Sequence, residues 1–194
     1  MNTSTLVLRD FILPRDFITS KGIRLVVDVA LVIFLALATT LAGQAKIEIG
    51  IIPITLQTFV VLLSGLVFGS RIGAISQLAY LMAGLAGIPW FSRGGGLAYV
   101  MSPTFGYLLG FVVAAYVVGK MAEAGFDRKF YGTILAMLVG TFFIYLFGLL
   151  WLVKFVEPQS VLLVGLYPFI LGDILKIIVA AIIFPYAWKV VKTR

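Results

Sequence analysis

Asp173 and Lys176 lie three residues apart inside an apolar run from about Val161 to Trp188. On a helix, residues at i and i+3 project from one face, one turn apart. A charge held at bilayer depth costs at least ~2.5 kcal/mol, so an intramembrane carboxylate and ammonium point to a substrate path. Such a pair can accept from an N–H and donate to a carbonyl oxygen at the same time. It can also serve simply as an ion pair that ties helices together.

Few other polar groups interrupt the apolar stretches. They are Thr55, Gln57 and Thr58 at the start of one run, Gln77 and Tyr80 in the next, Tyr107 and Tyr145 further on, and Arg93 in a loop. Thr55, Gln57, Arg93, Tyr99, Asp173 and Lys176 together offer amide donors and acceptors, one carboxylate and two cations. That set suits a small anionic ligand with a polar head and an apolar body held by aliphatic and aromatic side chains. Gln57 has a second reading as an interhelical hydrogen bond, and Gln77 reads as packing internally. Acid–base catalysis fits less well, because no nucleophile–base pairing and no cofactor fingerprint accompany the pair. The chain reads as a binding protein rather than an enzyme, with no cofactor of its own.

The elements that must position these residues are long helices in a bilayer. The 194 residues are 62% hydrophobic and 12% charged, with a mean hydropathy of +1.14. That composition indicates an all-α membrane protein. A transmembrane β-barrel would show alternating segments of ~10 residues instead of continuous apolar runs. There is no Cys and no His, which excludes disulfides, thiol chemistry and Cys/His metal sites.

Six spans are expected in one compact bundle covering residues 23–188. They run from about Ile23 to Gly43, Ile54 to Phe68, Ile72 to Leu85, Thr104 to Met121, Tyr131 to Val153 and Val161 to Trp188. The second and third are short and joined by Gly69-Ser70-Arg71, a pointer to a cavity at membrane depth. Gly106 and Gly110 form a small-residue seam for close packing. Residues 1–22 read as an amphipathic surface segment or a disordered tail, with no signal-peptide pattern, and residues 189–194 as a basic tail. Asp28 is expected at the interface, as a hydrated or capping residue. Gly87 to Pro103 is the one long polar interruption. Its three glycines, Gly94, Gly95 and Gly96, could bring backbone close to a ligand, and Trp90, Phe91 and Tyr99 make it too aromatic for a plain linker.

Eleven Lys and Arg residues fall on one side of this topology and three, Lys46, Arg93 and Lys154, on the other. Basic residues collect on the cytoplasmic side, so both termini are expected there, in a cell membrane. The net charge of +7 is therefore topology, and nucleic-acid binding falls away.

Several motifs resemble the BioY family, the biotin-binding S components of energy-coupling factor (ECF) transporters. They are Pro53-Ile54-Thr55-Leu56-Gln57-Thr58-Phe59; Gly65, Gly69 and Gly73; Gly84-Leu85-Ala86-Gly87-Ile88-Pro89; the glycine run; Ser102-Pro103-Thr104 with Gly106-Tyr107-Leu108 and Gly110-Phe111; and Gly172-Asp173 with Lys176. The likeness covers roughly residues 25–185. It implies the six-helix ECF S-component fold and a biotin site near the outer face, closed by the loops after spans one and three. It also implies partnership with a transmembrane coupling protein (EcfT) and two cytoplasmic ATPases (EcfA). On this resemblance Asp173 and Lys176 read the ureido head, Gln57 and the backbone of Gly94, Gly95 and Gly96 complete the rim, Trp90, Phe91 and Tyr99 pack on the rings, and Arg93 meets the carboxylate. A solitary transporter that works without the ATPases is the alternative.

Two features depart from the family pattern. The small-x-x-x-small motif that docks many S components on the coupling protein reads here Ala30 to Phe34, with a bulky second residue, while Ala38 and Ala42 keep the spacing further along. The loop reads Ser92-Arg93-Gly94, where relatives often have small or amide residues.

Overall fold

The computed structural model describes residues 6–12, 20–48 and 50–192. Seven α-helices are described: α1 (Leu8–Ile12), α2 (Lys21–Gln44), α3 (Gln57–Leu85), α4 (Phe105–Glu123), α5 (Phe130–Leu152), α6 (Val161–Gly165) and α7 (Ile170–Lys192). Two short strands, β1 (Lys46–Ile47) and β2 (Ile54–Thr55), pair antiparallel between α2 and α3.

Helix α3 is two helical arms joined end to end. Gly69 breaks it with φ +81°, a conformation that only glycine adopts without strain. The chain folds back there, because Gln57 hydrogen-bonds Tyr80 at 2.8 Å and Ser64 receives a 3.5 Å bond from Gln77. The two arms, residues 57–68 and 70–85, therefore run antiparallel, as the Gly69-Ser70-Arg71 turn predicted. With α2, α4, α5 and the α6–α7 pair they make the six helical segments of the expected bundle.

Close approach rather than apolar surface holds these helices together, since lipid tails compete equally well for apolar side chains. A methyl group on Gly65 would lie 2.5 Å from the Ala115 carbonyl oxygen, and one on Gly119 would lie 2.3 Å from Ser70 Cα. Small residues thus let both arms of α3 nest against α4. The Gly106/Gly110 seam does the same for α4 on α5, with backbone of Phe147 and Ile144 within 2.5 and 2.8 Å of the added methyls. Gln77 is fully buried and ties α3 to α2 through Thr39, at 3.2 Å.

Span six differs from the sequence expectation of one continuous helix. α6 stops at Gly165, a 3-10 turn covers Tyr167–Phe169, and α7 starts at Ile170. Pro168 explains the break, because it has no N–H to donate and its ring clashes with the preceding turn. Asp173 consequently sits in the first turn of a new helix rather than mid-way along an old one.

The end of the bundle nearest the termini is knitted by polar contacts. Arg9 pairs with Asp28, which is therefore bridged rather than simply hydrated. Of the N-terminal segment, residues 8–12 form α1 on this end, with Val7 and Leu8 buried; residues 1–5 and 13–19 lie outside the described residues. The Glu123 carboxylate accepts from the Ser70 backbone N–H (2.8 Å) and hydroxyl (2.6 Å), capping the second arm of α3.

Asp127, in the turn between α4 and α5, is fully buried and accepts a 2.6 Å bond from Trp188 Nε1 of α7. Burial pushes its carboxyl up from 3.8 to about 6, against the pull of Trp188 and Arg128. A raised carboxyl contributes stability that is complete at pH below its unfolded value and is lost as pH rises through its folded value. Raising the pH from 3.8 through about 6 is thus expected to lower the thermal midpoint, and Asp127→Asn to flatten that slope in a pH series of melts. Gly65→Ala should cost about 1–3 kcal/mol, because its methyl meets backbone that cannot move aside. Thermal unfolding in detergent checks this against wild type.

Candidate functional site

The Asp173/Lys176 pair forms as the i,i+3 spacing predicts, with Lys176 Nζ 3.1 Å from Asp173 Oδ1. An ammonium carries three donor hydrogens. The other two reach the Thr58 hydroxyl at 2.8 Å and the Thr55 carbonyl at 3.2 Å, both across the gap to β2 and α3. Asp173 Oδ2 accepts from the Tyr145 hydroxyl of α5. Asp173 lies in the first turn of α7, where the helix dipole favours a negative charge. The pair therefore joins four elements, β2, α3, α5 and α7, at one level.

Beside it is a narrow, partly open cavity of about 50 Å³. Thr55 and Gln57 line one side, Ser92 and Tyr99 the loop side, Thr104, Tyr107 and Phe111 the α4 side, and Tyr145 and Phe169 the side nearest the pair. Its polar atoms are mutually satisfied. Thr104 donates to the Tyr99 hydroxyl at 2.9 Å, and Ser92 lies 3.3 Å from the same oxygen. Gln57 donates to Tyr80 at 2.8 Å and to the Thr39 carbonyl at 3.3 Å, so it bridges helices and faces the cavity together. Tyr107 donates to the Gly165 carbonyl at 2.8 Å. Ligand pockets usually hold ~300–1,000 Å³, so this cavity is well below the usual size.

The Gly-rich loop is an ordered wall. Phe91 and Gly94 exchange backbone hydrogen bonds of 2.9 and 3.2 Å around a tight turn, with Gly94 at φ +116°. Phe91 is buried in a socket at Gly84, where a methyl would lie 2.1 Å from the ring. Trp90 stacks on Tyr80 at 5.5 Å and donates to its carbonyl at 2.9 Å. Gly95 packs on the Ile88 carbonyl with no room for a side chain.

Of the residues singled out from sequence, Thr55, Gln57, Tyr99, Tyr107 and Tyr145 line the cavity. Asp173 and Lys176 stand directly behind its wall, and Trp90, Phe91, Gly94 and Gly95 support the wall without lining it. Arg93 is turned away from the cavity. It binds Glu48 at 2.5 Å and the Ile51 and Gly50 carbonyls at 2.8 and 3.1 Å, closing the loop after α3 onto the loop after α2. Arg93, then Lys46, holds the Glu48 carboxyl below its ordinary value. On α2, Ala30 and Phe34 are exposed and Ala38 is half-buried. Ala42 is buried, its carbonyl accepting from Leu56 N–H at 3.2 Å, so it faces inward rather than toward a partner.

The sequence model of the BioY family matches residues 15–193, nearly the whole chain. The chain belongs to the BioY family. A probable biotin transporter BioY of Pyrococcus horikoshii is 38% identical over 157 residues, covering 80% of this chain and 93% of that protein. The biotin transporter BioY of Thermotoga maritima is 35% identical over 140 residues, 71% of this chain and 82% of the relative. A crystal structure of the S-component for biotin from an ECF-type ABC transporter superposes with a TM-score of 0.75 at 25% identity, covering 88% of this chain and 95% of that one. The fold is therefore that of an ECF S-component.

Within this BioY chain the cavity residues not singled out from sequence include Ser92, Thr104, Phe111 and Phe169. Small hydroxyls and core-type aromatics carry no signal of their own. Tyr145 carried a faint one, as a hydroxyl stranded in an apolar run. The Arg93 clamp has a direct test. Arg93→Ala should speed amide exchange several-fold in residues 46–55 and 90–96, leaving α4 and α5 unchanged, when wild type and variant are compared by hydrogen–deuterium exchange.

Proposed function

We propose that this chain is the membrane-embedded substrate-binding subunit for biotin uptake, working with an ECF-type coupling protein and its ATPases. The observation that carries this reading is the Asp173/Lys176 pair, held against the wall of a small polar cavity by Tyr145 and Thr55. A ureido group presents N–H donors and one carbonyl acceptor. It matches a carboxylate and an ammonium one turn apart, by charge-assisted hydrogen bonds roughly twice as strong as neutral ones. Relatives named as biotin transporters support the choice of ligand.

In this reading Gln57 and Tyr99 contact the ligand, while Trp90, Phe91, Gly94 and Gly95 hold the loop over it. The valerate carboxylate lies toward the loop side, where the Ser92, Tyr99 and Thr104 hydroxyls converge. Arg93 reaches that carboxylate only by leaving Glu48. The site opens outward, the termini and the Gly69 turn face the cytoplasm, and the exposed face of α2 around Ala30 and Phe34 meets the coupling protein. ATP hydrolysis belongs to the partners, and the subunit itself performs no chemistry.

Removing one partner of a buried, hydrogen-bonded charge pair costs several kcal/mol, much of it from stranding the other charge. Asp173→Asn should accordingly weaken biotin binding by about a hundredfold or more. The variant should still insert and run as a single species. Radiolabelled biotin binding to purified protein, with gel filtration alongside, makes the comparison. Wild-type protein without saturable binding would refute the assignment.

A further inference from the structure

The cavity and the charge pair do not meet. Tyr145 lines the cavity, whereas Asp173 and Lys176 do not, and the Tyr145 hydroxyl occupies Asp173 Oδ2. Behind Tyr145 lies a second space, an open, apolar groove of about 570 Å³ between α5 and α7. Tyr145 and Asp173 both line it, with Thr141, Leu149, Ile170 and Ile174 among the walls. Tyr145 thus stands as a partition between a cavity too small for a ligand and a groove with room for its ring.

Resting on the function proposed above, we propose that Tyr145 is a specificity-determining gate. Its ring swings toward the α5/α7 groove when ligand enters, which enlarges the cavity and uncovers Asp173. The hydrogen bonds exchange without leaving a charge unpaired. Asp173 gives up the tyrosine O–H and accepts a ligand N–H. Lys176, whose three hydrogens are all in use, gives up the Thr55 carbonyl and donates to a ligand carbonyl. Only a ligand carrying a donor and an acceptor side by side can make both exchanges. One that lacks either leaves a buried charged group short of a partner, a large penalty in a dry site. Tyr145 accordingly acts as the free-state placeholder of the ureido group.

The gate predicts a sign that a supporting role does not. Tyr145→Phe keeps the ring and removes the competing hydroxyl, so ligand-free Asp173 loses a bond that the complex does not use. Biotin should then bind tighter than to wild type, by roughly tenfold, in equilibrium binding to purified full-length protein. A 19F-labelled tyrosine at position 145 should change its shift when biotin is added to otherwise wild-type protein. Weaker binding by Tyr145→Phe would mean that the hydroxyl holds ligand or props the pair, and would overturn the gate. Unchanged affinity, or a 19F signal that ignores biotin, would overturn it as well while the biotin assignment stands. Absence of biotin binding in wild type would remove both.

Discussion

All three hydrogens of Lys176 are spent inside the bundle, and the rest of the site follows from that. A largely buried ammonium has little access to water, so its partners come from protein. The partners come from three places in the chain: Asp173 one turn away, Thr58 at the head of α3, and the Thr55 carbonyl on β2. Asp173 then recruits Tyr145 from α5. A single buried cation thereby sets the spacing of α3, α5 and α7, while the small-residue seams set the spacing of α3, α4 and α5. The cavity is the space left where these two requirements meet.

The α-helical architecture was legible in the sequence because its signals are strong and local. Continuous apolar runs, the Gly69 turn and the Gly106/Gly110 seam each report directly on helix number or packing. The break after Gly165 was also written in the chain, as Pro168, but hydropathy averages across a single proline and hides it. Charged residues in apolar runs declared themselves through their energetic cost. Residues that only acquire meaning through a neighbour did not. Arg93 has the charge expected of a carboxylate ligand, yet Glu48, forty-five positions away, holds it. Ala42 has the spacing of a docking stripe, yet the rotation of α2 on α3 buries it against Leu56. Both depend on a long-range contact that no periodicity encodes.

Tyr145 shows why the site itself is harder to read than the fold. A tyrosine in a membrane helix fits an interface belt, a core position or a ligand contact equally well. Its role here comes from facing two spaces at once, the cavity on one side and the α5/α7 groove on the other. That is a property of how α5 and α7 diverge, and it exists only once both helices are in place.

The Gly-rich loop is fastened in two different ways. Arg93 grips Glu48 at an exposed surface, where dissolved salt screens the attraction within about 10 Å. Phe91 sits in the socket left by Gly84, a contact of shape with no charge to screen. The loop therefore carries one fastening that ionic strength loosens and one that it leaves alone. A rise in salt would release the Arg93 strap while the aromatic plug keeps the wall of the cavity in place, so the two fastenings of one loop respond to different features of the surroundings.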